Sequence, residues 1–177
     1  VNVQYVLVIP GSLRAASFSA ALARAVCSLC VDGVETEYFD AVRDLPIYDQ
    51  DLDHDPLPPA AARLRERITA ADGLFIVTPE YNYNIPGGLK NAVDWASRPF
   101  AAHSLLDKKI AVVGCSPGTR GGKASVDYLR SVLPQLKAQL VGPEVLIPAV
   151  NTLVDGNGTV DASVCDRLRN VLAAFIG

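Results

Sequence analysis

Cysteine is scarce and histidine scarcer, and neither stands where its usual chemistry would need it. Four cysteines in 177 residues (Cys27, Cys30, Cys115, Cys165) are too few and too scattered for a disulfide framework. Cys27 and Cys30 form a C-x-x-C, but late in a predicted helix. A redox pair of that type opens a helix, where the dipole favours the thiolate, so plain helix packing is the expected role. His54 and His103 stand alone, and no His, Cys and carboxylate group has metal-ligand spacing. The apolar runs fall far short of the roughly 20 residues that cross a bilayer. No charged and then apolar leader opens the chain, so a cytoplasmic, membrane-free protein is expected. Positive charge is not in excess either: the net charge of −3 leaves no footprint for nucleic acid. The dinucleotide fingerprint G-x-G-x-x-G is also missing.

What is present is an ordinary globular composition, half hydrophobic and one fifth charged, in a chain long enough to bury its own core. Short apolar runs alternate with helical patterns. Strands are expected at Tyr5–Ile9, Val34–Asp40, Leu74–Thr78, Ile110–Cys115 and Val141–Ile147. Helices are expected at about 17–31, 60–71, 88–97, 123–138 and 161–175. Five βα units with nearly continuous apolar strands imply one α/β domain over 1–177. Its parallel sheet is sandwiched between helices in the flavodoxin-like order 2-1-3-4-5. Ligands of such sheets bind beyond the carboxyl ends of the strands, where the loops 10–18, 78–88 and 115–122 gather.

The first loop reads P-G-S-L-R-A-A-S-F-S from Pro10. Gly11 permits a tight turn and Ser17 or Ser19 can cap the next helix, whose unbonded N–H groups favour an anion. Arg14 adds a planar charged fork, and Ser12, Ser17 and Ser19 add hydroxyls, a set suited to a terminal phosphate. The plainer account is a helix cap beside a solvated arginine. The second loop, Pro79-Glu80-Tyr81-Asn82-Tyr83-Asn84-Ile85-Pro86-Gly87-Gly88, is stiffened by two prolines and relieved by two glycines that permit close approach or positive φ. Its aromatic and amide groups match a planar heterocycle with imide edges; an irregular loop at a subunit contact is the alternative.

The third loop, Cys115 to Lys123, invites two misreadings. Cys115 and Arg120 stand one residue too close for a tyrosine-phosphatase loop. Pro117 and Ala124 occupy positions where a Walker A loop needs glycine and a hydroxyl. A glycine-rich wall for the same ligand is the economical account. Asp49, Asp51, Asp53 and Asp55 lack the glycine and glutamate of an EF-hand and read as a solvated loop. Trp95 is expected in the core or an interface, and Arg98 at the helix end.

GSLRAAS at 11–17, TPEYNYNIPGGLKNAVDWASR from Thr78 and the glycine-rich segment near 118–122, in this order, resemble the NADPH-dependent FMN reductase family. That family includes bacterial quinone, chromate and azo-compound reductases. The resemblance implies a flavodoxin-like fold and non-covalent FMN. Ser12, Arg14, Ser17 and Ser19, with Phe18 beside them, would hold the 5′-phosphate. Pro79, Glu80, Tyr81 and Asn82 would line the isoalloxazine, with Ser116 and Gly118 along its other edge. A homodimer or dimer of dimers is implied, with the flavin near the subunit interface. Two residues depart from the family pattern: Ser19 stands in place of an Asn, and Ala124 in place of an Arg.

The implied activity passes a hydride from NADPH or NADH to flavin N5, then two electrons to a quinone, free flavin or similar small acceptor, in ping-pong turnover. No catalytic side chain is required. The alternatives are a flavodoxin-type electron carrier with protein partners, for which a strongly acidic face is expected, and a non-redox flavin module.

Overall fold

The computed structural model describes residues 3–176. Val1, Asn2 and Gly177, part of the domain expected over 1–177, lie outside them. Strands β1 (Gln4–Pro10), β2 (Val34–Tyr38), β3 (Gly73–Pro79) and β4 (Lys109–Cys115) pair in parallel. Two short strands, β5 (Gln139–Leu140) and β6 (Val145–Ile147), both pair with β4, and the order is β2-β1-β3-β4-β5. This is the flavodoxin-like order, with its switch point beside β1.

Alternation along the central strands explains the layers. Leu7 and Ile9 of β1, Leu74 and Ile76 of β3, and Ile110 and Val112 of β4 share one buried cluster. Helices α2 (Pro59–Ala70), α3 (Gly87–Ala96) and α4 (Lys123–Val132) cover it with Leu64, Ile68, Leu89, Val126 and Leu129. Val6, Val8, Phe75, Val77, Ala111 and Val113 face the opposite way. There α1 (Phe18–Ser28) and α6 (Ala162–Ala173) pack on them with Leu22, Val26, Val164, Leu168 and Leu172. Each large aliphatic side chain so buried contributes about 1.5–3 kcal/mol. A strand buried on both faces must be apolar throughout, which is why these runs are legible.

Three departures from expectation stand out. The fifth strand is broken: Gly142 takes φ +73° and Pro143 follows it, so the chain leaves the ladder after Leu140 and returns at Val145. The helix expected over 123–138 stops at Val132, and a 3-10 turn over Leu133–Leu136 with Pro134 replaces its end. An additional one-turn helix, α5 (Val150–Leu153), follows β6.

Trp95 is fully buried at the end of α3. Its Nε1–H donates to the Pro46 carbonyl at 2.8 Å, and Tyr48 meets its ring edge-on at 5.0 Å. Asp53 departs from a wholly solvated acidic loop, because its carboxylate pairs with Arg65 at 2.8 Å and the side chain is only 12% exposed. Arg98 lies over Tyr48 rather than over the helix end alone. Cys27 packs inside α1, and burial holds its thiol above the ordinary value, while Cys30 follows the helix. Among the described residues no helix is long and apolar enough to cross a membrane.

Candidate functional site

Register brings the three loops to one level. Pro10 stands opposite Val77, and Thr78 and Pro79 stand opposite Gly114 and Cys115. The Gly11 N–H donates to the Val77 carbonyl at 2.7 Å, which turns the first loop out of the sheet beside β3. Ser17 then caps α1, its Oγ accepting from the Ala20 N–H at 3.4 Å and lying 2.8 Å from the Ser19 Oγ. The first turn of α1 carries no acidic residue, so nothing on the helix itself answers its positive end. Arg14 is exposed, its guanidinium 5.8 Å above the Phe18 ring.

The second loop is a tight reversal. Tyr81 and Asn84 exchange backbone hydrogen bonds at 2.9 and 3.0 Å, and Asn82 and Tyr83 between them take φ of +50° and +62°. Positive φ at both central residues is the signature of a type I′ turn. Asparagine accepts that region readily; for a tyrosine it costs roughly 1–2 kcal/mol. The turn is clamped from α4. The Ser125 hydroxyl lies within reach of the Pro79 and Asn84 carbonyls at 2.9 and 2.8 Å, and the Glu80 carboxylate accepts from the Ala124 N–H at 2.9 Å. Arg120 lies 5.4 Å over the Tyr83 ring. Close approach or positive φ is expected at Gly87 and Gly88: neither takes positive φ, but a Cβ on Gly88 would lie 2.9 Å from the Leu13 side chain. Both open α3, and a Cβ on Gly87 would meet nothing within 4 Å.

The third loop reaches the site through Ser116, whose N–H donates to the Ile147 carbonyl and whose carbonyl accepts from the Val150 N–H, both at 3.1 Å. Two glycines of this loop serve its packing. Gly122 takes φ +84° ahead of α4, and a Cβ there would lie 2.8 Å from the Cys115 nitrogen. A Cβ on Gly121 would lie 2.9 Å from the Ile147 nitrogen. These glycines let the loop pack against β4 and β6, and the cleft is walled by Cys115, Ser116 and Pro117 instead.

The result is one open cleft of about 180 Å³. Ser12, Arg14, Ser17, Phe18 and Ser19 form one wall, Pro79, Glu80 and Tyr81 a second, and Ser116 stands on the third. The Ser12 and Tyr81 hydroxyls meet at 2.9 Å between the first two. Asn82, exposed at the turn's tip, and Gly118, whose carbonyl accepts from the Ser116 hydroxyl at 3.2 Å, lie outside the lining. Cys115, Pro117 and Val150 belong to it and were not foreseen. Val150 carries no local signal; the β6 to α5 connection delivers it. Burial pushes the Cys115 thiol up to about 12, so it is a protonated apolar wall at neutral pH and not a nucleophile.

The chemistry of the cleft is therefore that of a binding site: one fixed cation, three hydroxyls and a helix N-terminus at one end, a stiff aromatic turn at the other. Residues 5–152 match the family model described as NADPH-dependent FMN reductase. A 2-hydroxy-1,4-benzoquinone reductase from Burkholderia sp is 39% identical, with 97% of this chain aligned to 91% of that protein. A quinone reductase from Escherichia coli K12 is 36% identical, the alignment covering 96% of this chain and 92% of the relative. Among solved structures, the flavoenzyme NAD(P)H:(acceptor) oxidoreductase FerB from Paracoccus denitrificans superposes with a TM-score of 0.86 at 34% identity, covering 98% of this chain and 96% of that one. With the family model spanning most of its length and full-length relatives this similar, the chain belongs to the NADPH-dependent FMN reductase family.

Proposed function

We propose that the chain acts as a single FMN-binding domain, a reductase that takes a hydride from NADPH or NADH and delivers two electrons to a quinone or similar small acceptor. The observation that carries this is the cleft itself: a cationic, hydroxyl-lined helix start and a clamped aromatic turn face each other at the switch point of the sheet. Bound FMN would supply the redox chemistry, accepting a hydride and passing on two electrons, held by the residues of the two facing loops. The protein's part is to bind, orient and shield.

Arg14 with the hydroxyls of Ser12, Ser17 and Ser19 answers a phosphate monoester, and the first N–H groups of α1 complete the cradle. Ser19 is 1% exposed and hydrogen-bonded to Ser17, so it supports the cap from below. Pro79, Glu80 and Tyr81 line the ring end, with Asn82 on the adjoining turn and Ser116 and Gly118 along the opposite edge. Glu80 acts through its bond to Ala124, which fixes the turn to α4. No general acid is required of these residues.

Nicotinamide and acceptor use the open cleft in turn, and initial rates against both substrates are expected to give parallel double-reciprocal lines. Intersecting lines would show that both occupy the site together.

Beside the cleft an apolar groove runs along Leu13, Leu45, Ile47, Tyr48 and the start of α3, with Ile47 87% exposed. A second copy of the chain covers this groove in the proposed homodimer. Ile47→Glu is expected to yield monomers in equilibrium sedimentation; an unchanged dimer would move the interface elsewhere. The four cysteines are free of disulfides, which suits a reducing compartment such as the cytoplasm.

An anaerobic absorbance titration tests the function directly. Added FMN is expected to bind and its visible band to bleach on addition of NADPH or NADH. Bound flavin that neither nucleotide reduces would leave an electron carrier, and no bound flavin would overturn the assignment.

A further inference from the structure

Behind the phosphate cradle lies a second, smaller cavity of about 60 Å³. It shares Ser12 and Arg14 with the main cleft, whereas Arg24, Tyr38, Asp40 and Arg43 line it but not that cleft, Arg43 also bordering the apolar groove beside α3. Three arginines thus line it from three elements: the first loop, α1 and the turn after β2. Their settings are partly fixed. Arg24 lies 5.6 Å over the Tyr38 ring and donates to its hydroxyl at 3.4 Å, and Arg43 donates to the Leu13 carbonyl at 3.3 Å.

Among the described residues none of these arginines pairs with a carboxylate within 4.0 Å, although six other ion pairs form. Asp40 is the one carboxylate lining the cavity, one negative charge against three positive. In a chain whose net charge is −3, this local excess is not a general property of the surface. Like charges gathered in a concave site repel one another unless an anion joins them, and arginine forks match the oxygens of a phosphate monoester. The flavin phosphate is already provided for on the other side of Arg14, so the second cavity answers a second phosphate.

Position identifies which one. The ring end of the cleft lies beyond β3 and β4, and the cavity lies beyond β2. Neighbouring strands stand about 4.8 Å apart, so the two are separated by two to three strand spacings, about 10–15 Å. A dinucleotide whose nicotinamide rests at the ring end can span that distance with its adenosine ribose. We propose that Arg24 and Arg43, with Arg14, receive the 2′-phosphate of NADPH and make the protein select NADPH over NADH. This inference rests on the nicotinamide-linked reductase reading.

The test titrates FMN-loaded protein with 2′,5′-ADP and with 5′-ADP, neither of which is a reductant. Wild type is expected to bind 2′,5′-ADP at least tenfold more tightly. Arg24→Ala and Arg43→Ala are each expected to lower that affinity about tenfold while leaving 5′-ADP and FMN affinities unchanged. kcat/KM is expected to fall by the same factor for NADPH and not for NADH, with Lys at either position restoring part of the loss. Both arginines are exposed, and unchanged melting temperatures would show the folds intact. Equal affinity for the two nucleotides in wild type, or parallel loss of both in the variants, would overturn the proposal. A weakened FMN titration would assign the cavity to the flavin phosphate. Inorganic phosphate that binds through Arg24 without displacing 2′,5′-ADP would make it a free-anion site. The titration fails separately from flavin bleaching, so loss of the nucleotide preference alone leaves the reductase reading standing.

Discussion

Arg14→Ala is expected to weaken FMN binding by one to two orders of magnitude, the loss of a charge-assisted phosphate bond worth about 1.5–3 kcal/mol. Among the described residues Arg14 is the only cation lining the cleft, and Arg24 and Arg43 lie in the adjoining cavity instead. The hydroxyls of Ser12, Ser17 and Ser19 would remain, and the α1 terminus with them, so binding should weaken rather than vanish. Arg14→Lys keeps the charge but loses the planar fork, and an intermediate affinity is expected. Fluorescence titration of the apoprotein with FMN reads all three proteins. An unchanged dissociation constant for Arg14→Ala would refute the phosphate assignment. Because Arg14 also borders the second cavity, the same variant should lose 2′,5′-ADP affinity, whereas Arg24 and Arg43 should affect only the latter.

The largest effect on stability is expected at Trp95. Trp95→Ala removes a fully buried indole and leaves a cavity, a change that costs about 3–5 kcal/mol. The Nε1–H bond to Pro46 adds a specific component, because the Pro46 carbonyl would also lose a donor. Asn91 donates to the same carbonyl at 2.8 Å, so that oxygen would stay satisfied once. Trp95→Phe, which keeps most of the ring volume, is expected to lose only about 1 kcal/mol beyond repacking. Urea unfolding monitored by circular dichroism distinguishes the two. Equal midpoints for Trp95→Ala and wild type would show that the loop over α3 collapses onto the space. That loop carries Ile47, so the Ala variant should also weaken the proposed subunit contact.

Much of this architecture is legible in the chain because the central strands are buried on both faces. A run such as Leu74 to Val77 can hardly be anything else once turn residues bound it. The Ser12–Ser19 wall of the cleft is legible for a related reason: its groups lie within eight residues, so spacing in sequence is spacing in space. The Pro79–Tyr81 wall is less so. Asn82 belongs to the same motif as Tyr81, yet a two-residue reversal throws it outward while Tyr81 turns in. Positive φ fell on an asparagine and a tyrosine and not on the glycines four residues on, because α4 clamps the turn from outside, and no local rule reports that clamp. Gly121 and Gly122 look like ligand glycines by composition; only the approach of β4 and β6 shows that they serve packing. Val150 enters the cleft from a connection thirty-odd residues downstream of Ser116, which pattern reading cannot see.

The interrupted strand beyond β4 has a consequence for how copies of this protein can meet. A long outer strand would offer a continuous row of unsatisfied N–H and C=O groups to any passing chain. Here β5 holds two residues and β6 three, with Gly142 and Pro143 between, and proline has no N–H to offer. The opposite border, β2, is short and carries Glu35 and Glu37, the latter held by Arg67. Both borders are poor templates for strand addition, which disfavours amyloid-like stacking and a shared sheet between subunits. Recognition of one copy by another is thereby left to side chains on helices and loops, where single substitutions can tune it.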